Sequence, residues 1–377
     1  MRSRKLKVMH LVYDLGTGST TGGMENGVIN LSLRLPSEKI ESSICTFEAG
    51  GDMEARLQRS NIKLWNLTKA RGNDVTLPFR LAKILKKERI DVLHTHNWGT
   101  VVDGIMAAKL ARIKVIHGEH GNVRHRWWHV VAQRIAWGRA ARVLAVSAAL
   151  ADRMTRLVGF PRERISVISN GVDTKHFAPS LEPTEANRKR LGLPTEVFTI
   201  GMVARLVPFK NHAGAFRALA KVVNRGVPVN LALAGGGPLE SELRDLATEL
   251  GVEERVFFLG DLPSTKPFLH SIDVLVSNSS YNEGMSNAVL EGMACNLPII
   301  ATKVAASPEL LDGGAGLLIS PNDDEALSDV IETLFRNESH RMELADSARK
   351  RAISHYSIDR MIEKYGNIYL SIMGMHA

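Results

Sequence analysis

The run VLVSNSSYNEGMSNAVLEGMAC, residues 274–295, holds in one piece the unit from which the chain is built. Val274, Leu275 and Val276 form a short, continuously apolar run, as expected of a strand covered on both faces. A polar turn follows through Gly284, and Ala288, Val289 and Met293 then recur along one face of a helix. In a parallel sheet such a turn lies at the strand's carboxyl end, where open α/β sheets bind their ligands. The backbone N–H groups of Gly284, Met285, Ser286 and Asn287 would stand at the helix N-terminus, which attracts phosphate. Glu283 precedes the helix and Glu291 lies about two turns into it. One carboxylate can then meet a ligand in front of the helix start and the other from the side. Neither the spacing nor the residue types suit a metal pair.

The same rhythm runs outward in both directions. In the first half, strand patterns occupy residues 7–15, 40–47, 62–67, 92–96, 114–120, 143–147 and 165–169, with amphipathic helical patterns such as 24–35 and 77–88 between them. Prolines 179, 183 and 194 interrupt this alternation and mark a linker over 176–196. It restarts with strand patterns at 197–204, 229–234, 256–259, 274–278, 298–301 and 316–319, and the chain closes on a helical stretch, 359–372. Alternating β and α at this spacing predicts two Rossmann-like, doubly wound parallel domains in tandem, 1–175 and 197–357, facing a central cleft. Residues 358–377 are expected to form a helix crossing back to the first domain.

With 377 residues, 44% hydrophobic and 23% charged, the chain suits two soluble domains. No stretch of 18 apolar residues occurs, and the basic start, Met1 to Lys7, is not followed by a signal-peptide core. Cys45 and Cys295 lie in different halves and read as free thiols of a reducing compartment, so a cytoplasmic protein is expected. The net charge of +8 hides an asymmetry: residues 1–180 carry 29 Lys and Arg against 15 Asp and Glu. Such a balance points the first half towards an anionic partner, nucleic acid or a membrane surface, or towards a basic surface with no partner.

Three more constellations stand at strand ends. Arg205 and Lys210, in GMVARLVPFKN (201–211), place two cations where a pyrophosphate could be neutralised; two exposed surface cations would look the same. Gly22 and Gly23 close a glycine-rich turn that would admit phosphate, without the spacing of a dinucleotide site. His94 and His96 share one face of a strand, and His117 and His120 follow on the next. Zinc is not expected there, because the four lie on two parallel strands without the spacing of a structural site.

The run from Glu283 to Glu291 resembles the E-x7-E signature of the GT-B retaining glycosyltransferases of family 4. That resemblance extends, in order, over nearly the whole chain. It implies that Glu283 binds donor-sugar hydroxyls, Glu291 the ribose, and Arg205 and Lys210 the pyrophosphate. It also implies that Gly22 and Gly23 face the donor phosphates and that His120 lies close to the donor sugar. Catalysis would then rest on Glu283, His120, Arg205 and Lys210. His96 fits an acceptor-side role or a structural one; His117 reads as packed. Asn170-Gly-Val-Asp173 and the Gly235-Gly-Gly-Pro238 turn also match the family, in backbone roles. There is no Asp-x-Asp motif of metal-dependent sugar transferases, and Asp323-Asp324-Glu325 reads as a helix cap. No metal and no cofactor are expected, only a UDP- or GDP-sugar as donor.

Residues 124–142 hold three of the five tryptophans and five arginines, Arg124, Arg126 and Trp127 leading. Indoles and guanidinium groups on one helix suit a membrane interface; a core helix with snorkelling arginines is the alternative. These residues and His96 form the acceptor-side candidates. The expectation is a hexosyltransferase serving a lipid-linked glycan acceptor in exopolysaccharide synthesis, peripheral on the inner face of the plasma membrane. A GT-B nucleotide-sugar epimerase, or a scaffold binding membrane or nucleic acid, would account for less of the pattern.

Overall fold

A computed structural model describes residues 4–16, 23–49, 57, 60–70, 74–121, 123, 126–281 and 284–375. The chain divides into two compact units, Met1–Asn170 with Asp359–Ala377, and Gly171–Ile358. Gly22, Arg124 and Glu283 lie outside the described residues.

Unit 1 is built on β1 (Leu6–Val12), β2 (Ile40–Thr46), β3 (Lys63–Asn66), β4 (Val92–His96), β5 (Lys114–Glu119), β6 (Arg142–Ala145) and β7 (Ile165–Val167). They form one seven-stranded sheet in the order β3-β2-β1-β4-β5-β6-β7, every pairing parallel. Unit 2 has β8 (Phe198–Val203), β9 (Val229–Ala234), β10 (Val256–Phe258), β11 (Val274–Ser277), β12 (Ile299–Thr302) and β13 (Leu317–Ile319). Its six-stranded parallel sheet runs β10-β9-β8-β11-β12-β13. In each sheet the strand order reverses beside the first strand, between β1 and β4 and between β8 and β11. Diverging connections open a crevice at that point, and this is where such sheets bind ligands.

The apolar runs of the sequence are strands because helices cover both sheet faces. All six residues of β9 are buried, as are six of seven in β1. The core of unit 2 gathers Met202, Phe216, Leu219, Leu231, Val274, Ile300 and Leu327 around the sheet. In unit 1, fully buried Trp137 stacks on His117 at 5.8 Å and meets Phe160 edge-on at 5.7 Å.

Residues 176–196, read from their prolines as a linker, are a folded part of unit 2. They contain the helix Thr184–Arg190, whose Arg188 is buried. Arg188 donates to the carbonyls of Ser271 (2.9 Å) and Thr195 (2.7 Å) and pairs with Asp273 at 2.6 Å. Each guanidinium nitrogen thus has an acceptor and the charge has a partner, which permits its burial, and the side chain fastens the proline-rich stretch to the sheet.

The helix Ile358–Ile372 begins where unit 2 ends and packs Tyr365, Tyr369 and Leu370 into unit 1. Asp323 caps the helix Asp324–Arg336 by accepting from the Ala326 N–H at 2.9 Å. Both cysteines are buried and unpaired, and burial lifts each thiol to about 12, far from reactive. No described helix is long and apolar enough to cross a membrane.

Candidate active site

In unit 2 the loops that leave β8 and β11 are tied together. Ser280 N–H donates to the Phe209 carbonyl at 2.8 Å, and the Asn278 amide donates to the Asn211 carbonyl at 3.0 Å. From below, the Thr302 hydroxyl donates to the Ser279 carbonyl at 2.6 Å. Lys210 ends the 3-10 turn Pro208–Lys210, with its ammonium 5.3 Å from the Phe209 ring. A small cavity is lined by Lys210, Ala204, Ser277, Asn278, Ser286 and Val289. Lysine and the capped helix start therefore border one space.

Arg205 is exposed and has no ion pair among the described residues. Its loop is shaped by a close backbone approach. Gly235 adopts φ +134°, and a Cβ there would lie 2.3 Å from the Ala204 carbonyl oxygen. A Cβ on Gly237 would likewise lie 2.6 Å from the Leu206 carbonyl oxygen. Only glycines let the turn after β9 lie against the loop carrying Arg205.

The helix Asn287–Ala294 is capped by Ser286, whose hydroxyl accepts from the Val289 N–H at 3.4 Å. Gly284 is half-buried, Met285 and Ser286 are buried, and Asn287 opens the helix. Glu291 lies on the same helix, its carboxylate accepting from the Thr265 hydroxyl at 2.7 Å. Burial raises its pKa to about 7, and the Thr265 hydrogen bond only partly offsets this. A largely buried carboxylate held, among the described residues, by one hydroxyl and no cation is costly for folding; such arrangements collect at functional sites.

In unit 1, β1, β4 and β5 lie side by side near the switch point, with His10 in register with His94 and His96 with Gly118. Gly118 leaves the room in which the histidine rings meet. A Cβ there would lie 3.0 Å from His94 Nε2, 3.4 Å from His120 Nε2 and 3.6 Å from His96 Nδ1. His96 Nε2 is 3.1 Å from His10 Nδ1, and His96 Nδ1 is 3.0 Å from His120 Nε2. His94 Nδ1 meets the Tyr369 hydroxyl at 2.7 Å. His120 is anchored by its own N–H, which donates to Asn97 Oδ1 at 2.9 Å. Burial brings His10 down to about 3 and His120 to about 4; it also holds His94 and His96 well below the usual range, helped by their neighbours. The cluster is neutral at physiological pH.

His117 points elsewhere: its Nδ1 is 3.0 Å from the Thr95 hydroxyl and its Nε2 3.7 Å from Glu119, all within the core. His10 was not singled out in the sequence. A lone histidine in an apolar strand carries no spacing signal, and only the β1–β4 pairing brings it to the others. Among the described residues, His10, His94 and His96 form the one group with nitrogens close enough, within 4.8 Å, to hold a metal. The nitrogens joining His10, His96 and His120 face one another in pairs, as in a hydrogen-bonded chain.

The helix Trp127–Arg139 buries Gln133, Ala136 and Trp137. On its outer side Trp127 is 78% exposed, and Trp128, Val131 and Ile135 are exposed too. It packs beside the helix Trp98–Ala111, which exposes Val102, Met106 and Leu110, and that helix beside Leu77–Lys87, which exposes Phe79. Arg126, Arg134, Arg139, Lys109, Lys83, Lys86 and Lys87 are exposed on the same three helices and their start. The arginine helix is thus a surface helix with an apolar outer face.

Two parallel sheets of this order, each with its polar strand-end loops at the switch point, define a GT-B fold. Two family models match the chain: Glycosyl transferases group 1 over residues 183–351 and Glycosyltransferase Family 4 over residues 21–176. A D-inositol 3-phosphate glycosyltransferase of Corynebacterium efficiens is 30% identical, over 70% of this chain and 67% of its own. The Escherichia coli UDP-Gal:alpha-D-GlcNAc-diphosphoundecaprenol alpha-1,3-galactosyltransferase is 26% identical, over 92% and 94%. Among solved structures, Anabaena Alr3699/HepE in complex with UDP-glucose superposes with a TM-score of 0.86 at 22% identity, covering 97% of this chain and all of that one. The chain belongs to the group 1, family 4 glycosyltransferases.

Proposed function

We propose that this glycosyltransferase is a retaining, metal-independent hexosyltransferase that takes its sugar from a UDP- or GDP-sugar and gives it to a lipid-linked glycan at an anionic membrane surface. The observation that carries the donor side is the stitching of the Lys210 loop to the segment that enters the Ser286-capped helix of Glu291. Arg205 and Lys210 neutralise the pyrophosphate, the amides of Gly284 to Asn287 add donors at the helix start, and Glu291 accepts from the ribose hydroxyls. Glu283 and His120 orient the hexose; Gly22 and Gly23 face the phosphates.

The acceptor hydroxyl attacks the anomeric carbon on the face from which the nucleotide leaves. The bond from that carbon to the β-phosphate oxygen breaks, and the departing phosphate takes the hydroxyl proton. Two fixed cations stabilise the charge that grows on the leaving group and supply what a metal supplies in other sugar transferases.

The acceptor side rests on the exposed face of Trp127, Trp128, Val131 and Ile135 with arginines around it, which fits the headgroup region of a bilayer. A lipid-linked acceptor is also what the Escherichia coli relative's name describes. The work fits construction of exopolysaccharide or a similar surface glycan on the cytoplasmic side of the membrane, with Arg124, Arg126 and Trp127 towards the acceptor; His96, buried with both ring nitrogens engaged by other histidines, takes the structural one of its two expected roles.

The test is nucleoside diphosphate release from a panel of UDP-, GDP- and ADP-sugars, in a metal chelator, with and without a membrane lipid extract. Release that needs the extract and is lost in Glu283→Ala and Lys210→Ala is the expected result. Sugar-nucleotide binding without release under any condition would favour an epimerase or a binding scaffold instead.

A further inference from the structure

Three imidazoles of unit 1, His10 and His96 buried and His120 half-buried, form a chain with a direction. His10 Nδ1 faces His96 Nε2, and His96 Nδ1 faces His120 Nε2, at 3.1 and 3.0 Å. A neutral imidazole has one N–H and one lone pair, so each link fixes the next, and only two arrangements satisfy both. In one, protons point outward: His10 Nδ1–H donates to His96, and His96 Nδ1–H donates to His120 Nε2. In the other they point inward, from His120 to His96 to His10.

The inner end decides between them. His10 is fully buried, and its Nε2 has no partner among the described residues. Inward polarity would make His10 Nδ1 an acceptor and put a proton on Nε2, leaving a donor unpaired in the core. Outward polarity leaves only a lone pair there, which costs less. At the other end His120 is half-buried, so its Nδ1–H can meet solvent or substrate. Burial keeps all three rings neutral, as a chain of single-proton links requires.

We infer that His10 and His96 are positioning residues whose hydrogen-bond chain locks His120 in the tautomer with Nε2 bare and Nδ1–H turned outward. His120 then serves as a hydrogen-bond donor, not as a base. What that donor touches rests on the proposed transferase reading, where it meets an oxygen of the donor hexose. The tautomer itself does not depend on that reading. His96 must accept on one side and donate on the other. A glutamine amide can do both, whereas phenylalanine keeps the ring volume and does neither.

The experiment uses the full chain with 15N-labelled histidine and long-range proton–nitrogen correlation spectra near neutral pH, the His120 signals being assigned with His120→Gln. The expected spectrum has His120 protonated at Nδ1 alone. His120 protonated at Nε2, or a mixture of both tautomers, overturns the inference, whether or not the protein transfers sugar. In His96→Phe the single tautomer should give way to a mixture, and in His96→Gln it should persist. If transferase activity is in hand, kcat should fall by about 10²-fold in His96→Phe with KM little changed, and recover most of that loss in His96→Gln. A His96→Phe protein with an unaltered His120 spectrum also refutes the relay. Should that variant not fold, the wild-type spectrum still decides.

Discussion

Replacing Glu291 by glutamine should make the protein more stable and a poorer binder of nucleotide. Burial raises this carboxyl from 4.5 to about 7, and among the described residues Thr265 is its one hydrogen-bond partner. Above pH 7 the carboxylate is ionised in folded and unfolded chains alike, and the folded protein bears a cost of about 3 kcal/mol for it. The group retains some contact with solvent, which brings the expected figure to about 2–3 kcal/mol. Glutamine removes the charge, and its amide oxygen can still accept from Thr265. Between pH 4.5 and 7 the folded state binds more protons than the unfolded state, so wild-type stability falls as pH rises through that window. The advantage of Glu291→Gln should therefore be near zero below pH 4.5, grow to about pH 7 and stay level above it. Urea denaturation from pH 4 to 9, followed through the transition of unit 2, measures it. UDP or GDP binding, by calorimetry at pH 8, should weaken at least about tenfold, because a charged acceptor for two hydroxyls has been lost. Equal stability of the two proteins at pH 8 would falsify the account of Glu291 as a strained carboxylate; stabilisation without weaker nucleotide binding would separate the strain from the function.

Lys210→Ala should lower kcat by about 10²–10³-fold with a smaller change in donor affinity, since its charge matters most as the pyrophosphate departs; steady-state kinetics with saturating acceptor checks this. Gly235→Ala puts a methyl group 2.3 Å from the Ala204 carbonyl oxygen at φ +134°, so it should displace the Arg205 loop and cost about 1–3 kcal/mol of stability together with most of the activity. Trp127→Ala with Trp128→Ala should reduce sedimentation with anionic vesicles without moving the melting temperature, because both side chains are exposed; binding that persists at wild-type level would remove that helix from the membrane reading. The opposite control, Trp137→Ala, empties a fully buried site and should cost about 3–5 kcal/mol, seen in the same melting measurement.

The alternation of apolar runs with amphipathic stretches determined much by itself. Strand β4 and strand β9 occupy the residues their patterns mark, 92–96 and 229–234, because continuous apolar runs bounded by polar turns have no stable home except a sheet covered on both faces. The Lys210 turn and the helix start at Ser286 follow from the same pattern, because a polar or glycine-rich stretch between a strand and the next helix forms a loop at the strand's carboxyl end. Two things needed the tertiary structure. Prolines 179, 183 and 194 look like a linker because proline breaks helices locally, yet Arg188 binds that stretch to Ser271 and Asp273, some 80 residues on. His10 lies in an apolar strand with nothing around it to betray a role. It joins His96 and His120 only because β1 pairs with β4, His10 lying opposite His94, 84 residues on, and because Gly118 leaves the space between them. Periodicity is a property of neighbours in sequence, whereas hydrogen bonds between strands depend on which crossover brings them together, and a single chain's pattern does not record that.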